Sequence, residues 1–401
     1  MLNDIFVKMK ESIPKKNKCL YCGNNPTNHT RVFISQTIAI PLSPLMRFMA
    51  LFDIPLFRKI TKIVLTPYVW FFRALYLLRF NEDSSKAFTE RSLVIWEEAK
   101  KRGIRMQQFV IIDKPVEQYR AWINNKWQYF ESIPVPASLP QRSYSWMDDK
   151  WLLKKKFIKA GIPVPKGKRV ATWKQALKVF SEVRKPVIVK PELGSRGRHT
   201  ITFIHTEEEL RHGYKIAKQL GTFVVVEEML MGSVYRATYV GGEIVGILRG
   251  DPPRITGDGK MNIKELIEKK NKEKDSRVKD VVITKKTEEF LRRQGFALSS
   301  VLDHNQTIDL SEKIGTSYGG FAAEEITITH PKTLAYLKKA GDVLNAPVVG
   351  FDFIIQHIDQ DPDNQVWGII EANSLPFINL HHFPLEGEPI NVAAKVWDLW
   401  K

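Results

Sequence analysis

The chain has 401 residues, with 61 Lys+Arg against 44 Asp+Glu and a formal net charge of +17. A hydrophobic content of 43% excludes a disordered chain, and only two cysteines exclude a disulfide scaffold and fit a reducing cytoplasm. No charge-free apolar run reaches the ~18 residues of a membrane-spanning helix, and the start MLNDIFVKMKESIPKKNK has no continuous apolar stretch of a signal peptide.

Residues 1–80 hold 12 Lys/Arg and 3 Asp/Glu, so about half of the net charge sits in the first fifth of the chain. Cys19 and Cys22 have the spacing of a metal knuckle, with His29 seven residues on. Zinc wants four ligands and a second CxxC is missing, so the cysteines read as ordinary reduced thiols, with metal as the alternative. Residues 42–80 are very apolar yet carry Arg58, Lys62 and Arg73 on one helical face, and Pro55 and Pro67 interrupt any long helix. A basic helix pair rich in Trp, Phe and Leu reads as a candidate anchor on an anionic membrane surface. The alternative is a hairpin packed on the body of the protein or on a second subunit.

Residues 81–147 read as a small α/β domain. A helix ends at Gly103, MQQFVIID is a strand, and a strand pair turns at Asn124-Asn125. From residue 148 to 401 the pattern settles into one larger α+β domain. DDKWLLKKKFIKAG and TWKQALKVFSEV are helices, PVIVKP is a buried strand, and a Gly/Arg loop leads to the return strand ITFI. EEELRHGYKIAKQLG is a helix and FVVVEEML a strand. YRATYV and EIVGILRG pair across Gly241-Gly242. MNIKELIEKKNKEK and TLAYLKKAGDVL are helices, VVGFDFIIQ and VWGIIEANS are strands, and INVAAKVWDLW is the closing helix.

Lys190 ends the buried strand beside the loop Gly194, Ser195, Arg196, Gly197, Arg198. An ammonium group beside exposed glycine amides suits a phosphate. Alternation points Glu371 and Asn373 to one face, and a facing strand places Asp352 near the same point. Two carboxylates and an amide oxygen are hard ligands, the set that Mg²⁺ prefers.

The ordered set DDKWLLKKKFIKAGIPVPKG, KPVIVKPELGSRGR, VVVEEMLMGSVYR, LRGDPPRITGDGKMNIKELIEKKN, SYGGFAAEEITITHP, GFDFII and IIEANSLPFINLHHFPLEG resembles the ATP-grasp superfamily of carboxylate–amine ligases. The closest branch is the ATP-grasp module of cyanophycin synthetases and bifunctional glutathione synthetases. The resemblance runs from about Asp148 to the C-terminus. It implies the ATP-grasp fold, two α/β lobes sandwiching ATP, here with a small N-terminal α/β domain and a basic, apolar helical extension. It implies that Lys150 and Lys190 contact phosphates, that the 194–198 loop closes over them, and that Glu227, Glu228 and the backbone through Leu230 hold adenine. Asp352, Glu371 and Asn373 would bind Mg²⁺ (or Mn²⁺). Arg249 and Lys190 would serve the transferred phosphoryl. Asp258, Asn271, Arg277 and His381 would lie at the substrate side.

The implied activity is an ATP-dependent ligation of a small-molecule or peptide carboxylate to an amine through an acyl phosphate, with ADP and phosphate released. The alternative is an inactive nucleotide-binding scaffold or sensor at a membrane. Val234 stands where the family has an acid for the ribose, His199 replaces a loop glycine, Phe377 a glycine and Ile390 an arginine. The change at Val234 bears on nucleotide affinity and on the preference for ATP over GTP, while the others surround the acceptor and imply a substrate unlike the cyanophycin type. The sequence holds no Mur-ligase-like second module, so a single ligation is expected. A homo-oligomer is implied, in the cytoplasm or peripheral on the inner membrane face. With no nucleic-acid motif, a nucleic-acid partner is not expected.

Overall fold

The computed structural model describes residues 19, 21–22, 27–35, 37, 77–139, 147, 150–192 and 197–401. The basic segment 42–80, apart from residues 77–80, and loop residues Gly194, Ser195 and Arg196 lie outside the described residues. Among those described, no helix is long and apolar enough to cross a membrane.

The first sheet is antiparallel and runs β1 (Leu78–Asn81), β2 (Met106–Ile111), β3 (Lys114–Ile123), β4 (Lys126–Glu131), in that spatial order. Helix α1 (Glu90–Lys101) covers one of its faces; Thr89 caps it by accepting from the Ser92 amide. Asn124 and Asn125 both take positive φ, the conformation that a two-residue hairpin turn requires. Strand β1 is new to the sequence reading, because LRFN follows an apolar stretch with no turn signal between them.

Helix α2 (Lys150–Lys159) leads into the smaller lobe. That lobe is the sheet β5 (Gly167–Val170), β8 (Val224–Glu228), β6 (Val187–Pro191), β7 (Ile201–Ile204), in that order, backed by α3 (Trp173–Glu182) and α4 (Glu207–Lys218). Both backing helices start in reciprocal capping boxes, Thr172 with Gln175 and Thr206 with Glu209. Val187, Val189, Val224 and Val226 turn inward onto these helices.

The larger lobe is a five-stranded antiparallel sheet in the order β13 (Phe321–Glu324), β10 (Glu243–Asp251), β9 (Ser233–Val240), β14 (Val348–Ile355), β15 (Gly368–Asn373). The Gly241-Gly242 turn joins β9 to β10 as expected, with both glycines at positive φ. One sheet face, through Tyr235, Ala237, Phe351 and Phe353, packs on α2 and α7 (Pro331–Leu344). A satellite of β11 (Arg254–Thr256), β12 (Thr307–Asp309), α5 (Ile263–Glu273) and α6 (Lys285–Arg293) has its own apolar centre.

The first sheet does not stand apart. Trp96, Tyr119 and Ile133 share one core with Val240, Val245 and Val348 of the large sheet and with Val392, Val396 and Trp397 of the closing helix α9 (Val392–Asp398). The Trp397 indole donates to the Ile95 carbonyl at 2.9 Å, and Arg102 reaches Asp398 at 2.9 Å. The N-terminal unit is thus bonded to the far end of the chain.

His382, in α8 (Asn379–His382), accepts from the Ala393 amide at the start of α9 at 3.3 Å. Only a neutral imidazole has that lone pair. Burial, with His381 beside it, pushes the His382 pKa down to about 4. A folded value below the unfolded ~6.5 means that this stability is complete above pH 6.5 and falls away toward pH 4. Urea melts should show a loss on the order of 1–2 kcal/mol over that window, after allowance for partial exposure, and His382→Gln should flatten it.

Candidate functional site

Two polar clusters face the cleft between the lobes. The first stands on the smaller sheet. Lys190 pairs in register with Val225, and Ile188 with Glu227. The valines of β6 and β8 alternate onto the helices, so Lys190 and Glu227 share the opposite face, toward the cleft. Glu227 is buried and takes two cations: Lys154 of α2 at 2.5 Å and Lys190. Burial alone raises the Glu227 carboxyl pKa, but the ammonium groups of Lys190 and Lys154 outweigh it and hold the group below its usual value. Burial lowers the Lys154 pKa, opposed by the same carboxylate. Lys154 was not singled out from the sequence. Its place four residues after Lys150, one helical turn on, is the signal that would have found it.

The second cluster stands on the large sheet. Asp352 of β14 pairs in register with Glu371 of β15 on one side and with Arg236 of β9 on the other. Gly350 pairs with Asn373. Register therefore puts Arg236, Asp352, Glu371 and Asn373 on one face, opposite to the face that carries Phe351 and Phe353. Arg236 grips both Asp352 oxygens at 2.7 and 2.8 Å. Sequence reasoning missed Arg236. The signal was a lone arginine inside the apolar strand SVYRATYV, which needs a buried anion. Lys150, at the start of α2, spans the two clusters, with its ammonium 3.9 Å from Glu371. Lys150, Lys154, Lys190, Glu227 and Ile370 line the narrow cleft between them.

The other expected residues are placed less directly. Arg249 pairs with Tyr235 and so faces away from Arg236; it bonds Asp251 at 2.7 Å and Glu325 at 3.4 Å. The structure does not bring it to Asp352. Glu228 turns from Glu227 and accepts from the Lys166 amide at 2.8 Å, while its own amide and that of Met229 go to Lys166 and Pro186. Leu230 is buried. Gly197 takes positive φ, and Arg198 has a buried Nε without a partner.

Asp258 accepts from the Lys260 and Met261 amides in a tight turn. Arg277 holds Asp275 and donates to the Pro384 carbonyl at 3.0 Å. Asn271 both donates to and accepts from the Val281 backbone, at 3.0 and 2.8 Å. Asn271→Ala should cost about 1–2 kcal/mol and speed amide exchange across residues 274–282, read by hydrogen-exchange mass spectrometry. His381 is fully buried between Thr238 at 2.8 Å and Glu324 at 2.6 Å. It lies over Gly246, where a Cβ would come within 2.6 Å of the ring. Placed so, His381 positions sheet and helix and presents no surface to a substrate.

Asp352, Glu371 and Asn373 are hard oxygen donors on one face, so the donor set fits Mg²⁺, and the lysines across the cleft fit a polyphosphate.

No family model matches the chain. Cyanophycin synthetase of Synechocystis sp. is 30% identical over 250 residues, covering 60% of this chain and 28% of its own length. The glutathione biosynthesis bifunctional protein GshAB of Clostridium perfringens is 27% identical over 311 residues, covering 75% of this chain and 40% of its own. The chain thus spans less than half the length of these relatives. The crystal structure of a bifunctional glutathione synthetase from Pasteurella multocida superposes with a TM-score of 0.53 at 23% identity, over 77% of this chain and 44% of that one. Two facing lobes and a cleft lined by lysines and carboxylates give the chain the ATP-grasp fold, and its sequence is similar to that of these two relatives over 60–75% of its length.

Proposed function

We propose that this protein is an ATP-dependent carboxylate–amine ligase that forms one amide bond per cycle. The observation that carries the reading is the lysine–glutamate triad of the small lobe facing the Arg236–Asp352–Glu371 row of the large lobe, with Lys150 between them.

The chain's own groups have definite work in such a reaction. Lys150 and Lys190 hold the phosphates of ATP by charge, with no proton to give up. Glu227 and Lys154 fix the Lys190 ammonium in place. Arg236 fixes the Asp352 carboxylate. Asp352, Glu371 and Asn373 would hold Mg²⁺, which when bound neutralises charge on the transferring phosphoryl. A substrate carboxylate takes the γ-phosphoryl and ADP leaves. An amine then attacks the acyl carbon, phosphate departs, and the amine loses a proton. Closure of the 194–198 loop would exclude the water that hydrolyses the acyl phosphate.

The substrates are a small-molecule or peptide carboxylate and an amine. We place the protein in the cytoplasm as a homo-oligomer, with the part of the basic, apolar stretch 42–80 that precedes strand β1 on an anionic membrane face. The deciding experiment follows Mg²⁺-dependent ADP formation across a panel of amino acids, dipeptides and polyamines, with and without anionic liposomes. The expected product has the mass of both substrates less one water. ATP binding without turnover of any pair would favour the scaffold or sensor instead.

A further inference from the structure

Cys19 and Cys22 lie on a turn closed by the Cys22 amide on the Cys19 carbonyl at 3.3 Å. His29 opens a helical stretch over 29–35. The fourth group comes from far along the chain. His199 follows the phosphate loop at once, takes positive φ (52°) and bonds the Tyr21 carbonyl through its amide at 3.1 Å. The thiol sulfurs and the imidazole nitrogens of these four residues all lie within 4.8 Å of one another.

The distances are those of a ligand shell. His199 Nε2 is 3.5 Å from Cys19 Sγ, 3.4 Å from Cys22 Sγ and 3.2 Å from His29 Nε2; Cys22 Sγ is 3.2 Å from His29 Nε2. Tetrahedral zinc, with Zn–S of about 2.3 Å and Zn–N of about 2.0–2.1 Å, puts S···N at about 3.5 Å and N···N at about 3.4 Å. Hydrogen bonding explains the convergence poorly. The other His199 nitrogen, Nδ1, bonds the Ile216 carbonyl at 2.8 Å and must carry the proton there. Nε2 is then a single lone pair with three polar atoms around it. An outer carbonyl that fixes the tautomer is also what a metal-ligating histidine normally has. Cys22 and His199 are fully buried. Two thiolates neutralise one Zn²⁺, so the filled site carries no net charge into that interior.

We propose that Cys19, Cys22, His29 and His199 form a closed, four-coordinate structural zinc site that pins the N-terminal segment to the foot of the phosphate loop. Binding one Zn²⁺ expels the two thiol protons and leaves both imidazoles neutral. With all four positions filled by protein, the metal has no open place for substrate. Thiolate and imidazole ligands select zinc over magnesium, so this site is distinct from the oxygen donors in the cleft. Tyr21 extends the clamp, since its hydroxyl reaches His212 at 3.2 Å and Glu289 at 3.4 Å.

The test uses the full chain, purified under reducing conditions, and its metal readouts do not depend on any ligase activity. Elemental analysis is expected to find one zinc per chain. Exchange for Co²⁺ should give the visible bands of a tetrahedral ion and a thiolate charge-transfer band. Cys22→Ser and His199→Ala should each lower zinc affinity at least tenfold. Folded native protein with reduced thiols, no stoichiometric zinc and no tetrahedral cobalt spectrum overturns the proposal. So does a Cys19–Cys22 disulfide in protein isolated without oxygen, or full zinc retention in His199→Ala. Should a variant fail to fold, the cobalt spectrum of the native chain still decides.

Discussion

Lys190→Ala should lower Mg²⁺-dependent ADP formation, in the presence of the substrate pair identified, by roughly 10²- to 10³-fold. Lys190 stands on a strand end with its ammonium locked by Glu227, so no neighbour swings into its place. Folding should survive, because Lys154 still pairs with Glu227 at 2.5 Å. The urea midpoint therefore serves as the control. A folded variant with near-native turnover would remove Lys190 from the reaction and, with it, the phosphate role of the small lobe. Glu371→Gln should give a loss of similar size, since one of the three oxygen donors loses its charge.

Glu227→Ala should destabilise the protein by about 3–5 kcal/mol, the cost of leaving buried cations without their anion. Glu227 has almost no exposed surface and is the shared partner of Lys154 and Lys190. Glu227→Gln, which keeps the shape and loses the charge, should fall in between. The pH dependence has a definite sign. The folded carboxyl titrates below its unfolded value, so its stabilisation is complete above about pH 4.5 and is lost as acid protonates it. Equilibrium melts of the native chain and Glu227→Gln, run in parallel from neutral pH downward, should converge at the acid end. A Glu227→Ala variant within 1 kcal/mol of native would mean that the lysines find water when the carboxylate is gone.

Local signals carried much of the fold. Gly241-Gly242 and Asn124-Asn125 marked two hairpins, and alternation in GIIEAN put Glu371 and Asn373 on one face before any strand partner was known. What stayed hidden depended on pairing. Nothing near Arg236 in sequence names Asp352 as its partner; the register between β9 and β14 does. Arg249 looked equally suited to the cleft, and a shift of one position along the pleat sends it to the other face. The resemblance implied His381 at the substrate side, yet the ring is buried over Gly246, where any Cβ would collide with it. His199 is 170 residues from His29, so the fourth member of the cysteine–histidine cluster has no sequence signature at all.

The core shared by Trp96, Tyr119 and Trp397 also has a consequence for synthesis. On the ribosome, the first sheet and α1 are complete at Glu131, roughly 260 residues before α9 begins at Val392. At about 5–20 residues per second, that exposes their apolar face for some tens of seconds. This unit is therefore completed only once α9 has emerged, and until then its apolar face stays open to solvent.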